Sequence, residues 1–176
     1  MENTIVALIS IALIIFGALT MSQSSLSSVD DLSQAWKEME RTAEEIARTS
    51  ISTLSTSTQS DGAIVEITLK NEGQTKLEDF ENWDVIVQYY RASGAYLIKW
   101  LPYVEGEPGD NEWTVEGIYL DAANGTPEVF ETGIFNPDEE MVVRIKLNPA
   151  IGPGTTNLAT IATPNGICAS ATFYGP

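Results

Sequence analysis

The chain has 176 residues, enough for one ordinary domain with an added element, and a formal net charge of -16 with a pI near 4.1. That balance argues against nucleic acid as a partner, because phosphates are held by clusters of Lys and Arg, which this sequence lacks. There is no histidine, so the commonest general base and metal ligand is missing, and the single Cys168 cannot close an internal disulfide.

The first element is residues 5–21, IVALISIALIIFGALTM, which contain no charge. At about 1.5 Å rise per residue they form a rod of roughly 25 Å, and the neutral residues 22–29 lengthen it enough to span a bilayer. A secretory signal peptide needs a basic segment ahead of its apolar run, and an inserted helix usually has Lys or Arg on its cytoplasmic side. Here the flank is Met1-Glu2-Asn3-Thr4 and the first basic residue is Lys37. One reading is that a basic leader has been removed and the mature chain starts as hydrophobic helix. An untouched initiator Met1 is the alternative.

Beyond it, Val29, Leu32, Trp36, Met39, Ala43 and Ile46 are spaced 3, 4, 3, 4, 3, a helical seam with a period near 3.5. Lys37, Glu38, Glu40, Arg41, Glu44, Glu45 and Arg48 occupy the remaining surface. No Pro or Gly interrupts residues 18–61, so the expectation is one helix over about 3–49, roughly 70 Å long. Its first half needs lipid or apolar helices all round, and its second half needs a partner along one stripe. Gly17 permits a bend or a close helix contact. A membrane anchor with an amphipathic stalk satisfies the same pattern without a partner chain.

Residues 50–62, SISTLSTSTQSDG, read as a Ser/Thr-rich connector ending in an Asp61-Gly62 turn. From Ala63 the period becomes two. Strands are expected at 63–71, 84–91, 95–103, 112–120, 128–135, 141–147, 157–163 and 166–174. The first alternates Ala63, Val65, Ile67, Leu69 against Ile64, Glu66, Thr68, Lys70. Turn chemistry separates them at 92–94, 106–111, 124–125, 136–137 and 164–166. The pattern predicts an α+β chain: a long N-terminal hydrophobic helix (1–50), a linker (51–62) and an immunoglobulin-like antiparallel β-sandwich (63–176). "Immunoglobulin-like" means architecture, since the Cys, Trp, Cys hallmark is absent.

Nothing in this pattern supplies catalytic chemistry. Without His, a Ser or Cys168 nucleophile would depend on Lys or a carboxylate, and no Gly-x-Ser-x-Gly, phosphate-loop or paired metal motif occurs. The expectation is a protein without enzymatic activity, cofactor or metal. The acidic stretches at 105–112, 121–124 and 138–140 offer oxygen ligands for Ca²⁺ but lack the order of a calcium loop, so they read as solvated turns. Asn124-Gly125-Thr126 is the one N-glycosylation sequon, although Pro127 follows it. Cys168 reads as a small buried hydrophobe. Tyr89, Tyr90, Tyr96, Trp100 and Tyr103 cluster across one expected hairpin. Core packing is the default for them, with a subunit contact or adhesive face as the alternative.

An uncharged helix, an amphipathic continuation and a β-sandwich without another span together resemble the archaellins, the archaeal flagellins, and their type IV pilin-like relatives. Residues 67–77, ITLKNEGQTKL, are similar to the strand and N-x-G turn that open the sandwich in archaellins and in archaellum stator-type proteins. Residues 135–141, FNPDEEM, with the Val142-Val143-Arg144-Ile145 that follows, are similar to an N-P-G-E turn and strand, with Asp138 where Gly is usual. Thr163-Pro164-Asn165-Gly166 is similar to the terminal P-N-G hairpin. Bacterial-type pilins carry a Glu early in the mature helix, where this chain has Ile5; Glu2 could instead neutralise a neighbouring amino terminus.

The resemblance implies a subunit inserted in the membrane, cut by a prepilin-type peptidase and passed by archaellum or pilus assembly machinery into an extracellular homopolymer of many copies. The expected polymerisation helix comprises Ile5, Leu8, Ile9, Ile11, Ala12, Leu13, Ile15, Phe16, Leu19, Val29, Leu32, Trp36, Met39 and Ile46. Swimming motility in an archaellum is the favoured role. An adhesion pilin and a membrane-anchored stator or binding protein are the alternatives.

Overall fold

The computed structural model describes residues 2–176, with the side chains of Glu2 and of residues 24–27 excepted. The alternatives for Met1, and the neutralising role of Glu2, fall outside the described residues. The chain divides into two compact units, Met1–Glu44 and Glu45–Pro176.

The first unit lies in α1 (Glu2–Arg48), a helix of 47 residues whose bounds match the expected ones. Its continuity follows from a sequence free of Pro with a single glycine, Gly17, and nothing lies near enough to Gly17 to be met by a Cβ there.

The second unit is a two-sheet antiparallel sandwich. One sheet has the order β1-β2-β7-β5-β6, from β1 (Ile51–Gln59), β2 (Ile64–Asn71), β7 (Glu140–Lys146), β5 (Glu112–Asp121) and β6 (Thr126–Pro127). The other has the order β4-β3-β8-β9, from β4 (Tyr96–Leu101), β3 (Asp84–Tyr90), β8 (Thr156–Ala162) and β9 (Cys168–Tyr174). Period-two burial explains the arrangement: Val65, Ile67 and Leu69 of β2 and Met141, Val143 and Ile145 of β7 point inward from one sheet. Val85, Val87 and Tyr89 of β3, Ala159 and Ile161 of β8, and Ala169, Ala171 and Phe173 of β9 meet them from the other. Trp83, Trp113 and Phe135 complete a single core.

Two expectations are corrected. The Ser/Thr-rich segment at 51–62 is not a linker, because its first nine residues are β1, paired from Ile51↔Asn71 to Gln59↔Ile64. Its hydroxyls have two jobs. Thr53, Thr56 and Thr58 donate from their Oγ1 atoms to the carbonyls of Ser170 (3.3 Å), Thr172 (3.2 Å) and Tyr174 (2.8 Å) on β9, joining the edges of the two sheets. Ser55 and Ser57 turn the other way, toward Thr68 and Glu66 of β2. The expected strand at 128–135 is also absent. Glu131 (φ 52°) and Gly133 (φ 89°) break any extended run there, Val129 and Phe130 are exposed, and pairing is left to a Leu77↔Phe135 bridge.

Candidate functional site

Every described position expected to drive polymerisation lies on α1 and is solvent-exposed. Exposure runs from 39 % at Ile46 to 69 % at Met39, and Phe16 reaches 67 %. Within 5–21 the polar side chains are Ser10 and Thr20, and both turn back on the helix. Ser10 Oγ donates to the Val6 carbonyl at 2.9 Å and Thr20 Oγ1 to that of Gly17 at 2.9 Å. These bonds free the cylinder of any side-chain demand for water, as an apolar surrounding requires. Among the described residues, α1 is the one helix long and apolar enough to cross a membrane, with a mean hydropathy of 2.5 over its most apolar window.

Two of the three turn motifs, at 71–74 and 163–166, bond the chain at 48–50, and the third, at 135–141, is tied to the first. Asn71 is the hub. Its buried carboxamide donates to the carbonyls of Thr75 and Phe135, both at 2.9 Å, and accepts from the Gly73 amide at 3.0 Å. Its backbone accepts from the Asp138 amide at 2.8 Å and donates to the Glu139 carbonyl at 3.1 Å, locking the first turn motif to the second. Within that second motif, the buried Glu139 carboxyl accepts the Asn136 amide at 2.8 Å, and Asn136 Nδ2 donates to Phe130 and Ile134 carbonyls. Asp138, where the resemblance leads one to expect Gly, has φ 69°, the left-handed region in which glycine costs least.

The 72–74 backbone grips the same segment. Glu72 and Gly73 amides donate to the Ser50 carbonyl at 2.9 and 3.1 Å, and Gln74 donates to the Arg48 carbonyl at 2.7 Å. Gly73 is required there by space, since a Cβ would lie 2.5 Å from the Arg48 oxygen and 2.6 Å from the Ser50 nitrogen. From the third motif, Asn165 Nδ2 donates to Thr49 Oγ1 at 2.9 Å, and that hydroxyl donates to the Glu45 carbonyl at 2.8 Å. The first and third motifs thus hold residues 48–50, while the second braces the first. The motifs are legible in the sequence, but their partners, which lie in distant segments, are not.

The remaining expected residues are dispersed. Tyr89 and Tyr103 belong to the core region: Tyr89 is fully buried with its hydroxyl on the Pro149 carbonyl at 3.0 Å, and Tyr103 packs edge-on against Trp113 at 4.9 Å. Burial pushes both phenols above their ordinary pKa, helped at Tyr103 by the Glu105 and Glu81 charges. Tyr90, Tyr96 and Trp100 are exposed on the outer side of β3 and β4. Cys168 is exposed as well, contrary to expectation, because the register of β9 sends Ala169, Ala171 and Phe173 inward and Cys168 outward. Asn124 sits in an exposed turn, its amide nitrogen 2.7 Å from Asp121 Oδ2, and its hydrogen bonds hold the Asp121 carboxyl below its usual range. Burial raises the Glu116 carboxyl, with Arg144 at 2.9 Å acting in the opposite direction. Among the described residues, no group of three or more His, Cys, Asp or Glu is placed to hold a metal ion.

A long apolar helix followed by an antiparallel β-sandwich fixed by these turns defines an archaellin-like α+β fold. The comparisons agree. No known family model matches the chain. An uncharacterized protein of Archaeoglobus fulgidus is 29% identical over 172 residues, covering 98% of this chain and 94% of its own length. The archaeal flagellum of Methanospirillum hungatei strain JF1 superposes with a TM-score of 0.57 at 15% identity, over 96% of this chain and 90% of its own. The archaellum periplasmic stator protein FlaG from Sulfolobus acidocaldarius superposes with a TM-score of 0.51 at 19% identity, over 71% of this chain and 99% of its own. The fold is therefore shared by a filament and by a stator component.

Proposed function

We propose that this chain is a structural component of an archaellum, a filament subunit that polymerises through α1 and does no chemistry. The observation that carries the reading is the apolar cylinder at 5–21, uncharged and solvent-exposed in the isolated chain, in a protein whose sandwich has a closed core of its own. Each Ile, Leu or Phe taken from water contributes roughly 1.5–3 kcal/mol, so this surface must be covered by lipid or by other helices. A membrane holds it first, and copies of the same helix replace lipid in the filament. The match to the M. hungatei flagellum extends over 96% of the chain, which favours the filament role. The FlaG match, which takes in 99% of that protein, favours the second reading, a membrane-anchored stator-type protein.

Shearing the cells separates the two. Recovery of the polypeptide in long filaments of many copies supports the subunit role, and retention in detergent-extracted membranes as a monomer overturns it. Ile11→Asp places a charge on the apolar cylinder, where Ile11 is 57 % exposed, and is expected to abolish filaments while the sandwich stays folded. Filaments of normal yield from that variant would refute the helical-core assignment. Loss of swimming in a deletion strain then distinguishes an archaellum from an adhesion pilus.

A further inference from the structure

The sequence holds two Asn-Gly pairs, Asn124-Gly125 and Asn165-Gly166, and they occupy equivalent places in two turns. The Gly125 amide donates to the Ala122 carbonyl at 3.2 Å and the Gly166 amide to the Thr163 carbonyl at 2.9 Å. Each Asn is therefore the third residue of a four-residue turn, and each Gly, at φ 63° and φ 86°, is the fourth. Local sequence and backbone are matched, but the surroundings differ. Asn165 is tied across the sandwich: its Nδ2 donates to Thr49 Oγ1 at 2.9 Å, and its Oδ1 accepts from the hydroxyl of Thr163, itself a buried residue. Asn124 stands at a loop tip where residues 123–127 are all exposed. The partner of its side chain is Asp121 in the same turn, through a solvent-exposed bond of 2.7 Å from Nδ2 to Oδ2.

We propose that Asn124 is a site of spontaneous deamidation and that the fold spares Asn165. In the reaction the Gly125 amide nitrogen, having lost its proton to hydroxide, attacks Asn124 Cγ. The new N–C bond closes a five-membered succinimide, the Cγ–Nδ2 bond breaks, and ammonia leaves with a proton taken from water. Water then opens the ring at either carbonyl, leaving aspartate or isoaspartate at position 124. A following glycine favours this chemistry, because it has no Cβ to obstruct the approach of its nitrogen and its backbone turns freely. Swinging Asn124 Cγ toward Gly125 breaks a bond to Asp121 that water replaces at little cost, whereas Asn165 must give up two bonds whose partners are held in the sandwich. The product changes the turn between β5 and β6. Aspartate at 124 sets a like charge against Asp121 in place of a donor, and isoaspartate routes the main chain through Cβ and lengthens it. The two strands pair only through Asp121↔Thr126 and Tyr119↔Pro127, so the edge strand β6 loosens as each copy ages. None of this depends on whether the chain serves as a filament subunit or a stator.

Full-length, unglycosylated chain in mild detergent, aged at mildly alkaline pH and mapped by peptide mass spectrometry, reads both sites in one sample through the replacement of NH2 by OH. Folded protein is expected to deamidate at 124 at least about tenfold faster than at 165. The same chain unfolded in denaturant should react at both sites at comparable rates, since the two pairs differ only in what the fold places around them. Thr49→Val keeps the shape of residue 49 but removes the hydroxyl that anchors Asn165, and should raise the rate at 165 while leaving that at 124 unchanged. Equal rates at the two sites in the folded chain, or a folded chain inert at 124 while the unfolded chain reacts, overturns the proposal. So does a rate at 165 that Thr49→Val does not move.

Discussion

Replacing Gly73 by alanine tests whether the turn at 71–74 holds the entry to the sandwich. The backbone at Gly73 is not in the positive-φ region, so the effect of a Cβ is wholly steric. That atom would lie 2.5 Å from the Arg48 oxygen, 2.6 Å from the Ser50 nitrogen and 3.1 Å from Thr49 Cα, all backbone atoms that cannot rotate away. Either the turn or the 48–50 segment must move, and the bonds from Glu72, Gly73 and Gln74 to Ser50 and Arg48 are lost or stretched. Three such bonds at about 0.5–1.5 kcal/mol each place the destabilisation near 3 kcal/mol. For a chain of this size, that is a fall in Tm of roughly 6–12 °C. Calorimetry of the full chain in mild detergent reads it directly. A melting temperature within about 2 °C of the parent would show that the close approach is slack and that the turn does not clamp the segment.

Asp138→Gly should stabilise the sandwich by up to about 1 kcal/mol, because Asp138 occupies φ 69° and its side chain is exposed; denaturant unfolding with an unchanged m-value measures it. Changing Thr53, Thr56 and Thr58 together to Val keeps their shape but removes three hydroxyl donors to β9, and should cost about 1.5–4 kcal/mol. Hydrogen exchange of β1 and β9 amides should then rise before that of β2 and β7, and uniform exchange across both sheets would show that the hydroxyl ladder is not a distinct closure. Cys168→Ser should shift stability by less than about 0.5 kcal/mol, and the native thiol should react with a maleimide without denaturant. A thiol that reacts only after unfolding would place Cys168 inside.

The helix and most strands are legible in the sequence, because those elements are written in local periodicity. Residues 5–21 lack charge, 29–46 repeat near 3.5, and β2, β3, β7, β8 and β9 alternate strictly between inside and outside. Even the Asn71, Asn136 and Asn165 turns were legible, since each declares itself through its own Asn, Gly or Pro. The remaining features depend on pairing between distant segments, which no short window contains. β1 has few apolar residues to alternate and is held by hydroxyls reaching a strand more than a hundred positions away. Cys168 was misplaced by one register step, the shift that exchanges core for solvent. The aromatic cluster at 89–103 was visible as a group, but only the fold divided it into a buried pair and an exposed face. Long-range pairing brings the turns at 71–74 and 163–166 onto residues 48–50 and ties the turn at 135–141 to Asn71, because their hydrogen-bond partners are distant in sequence and become neighbours only once both sheets have closed.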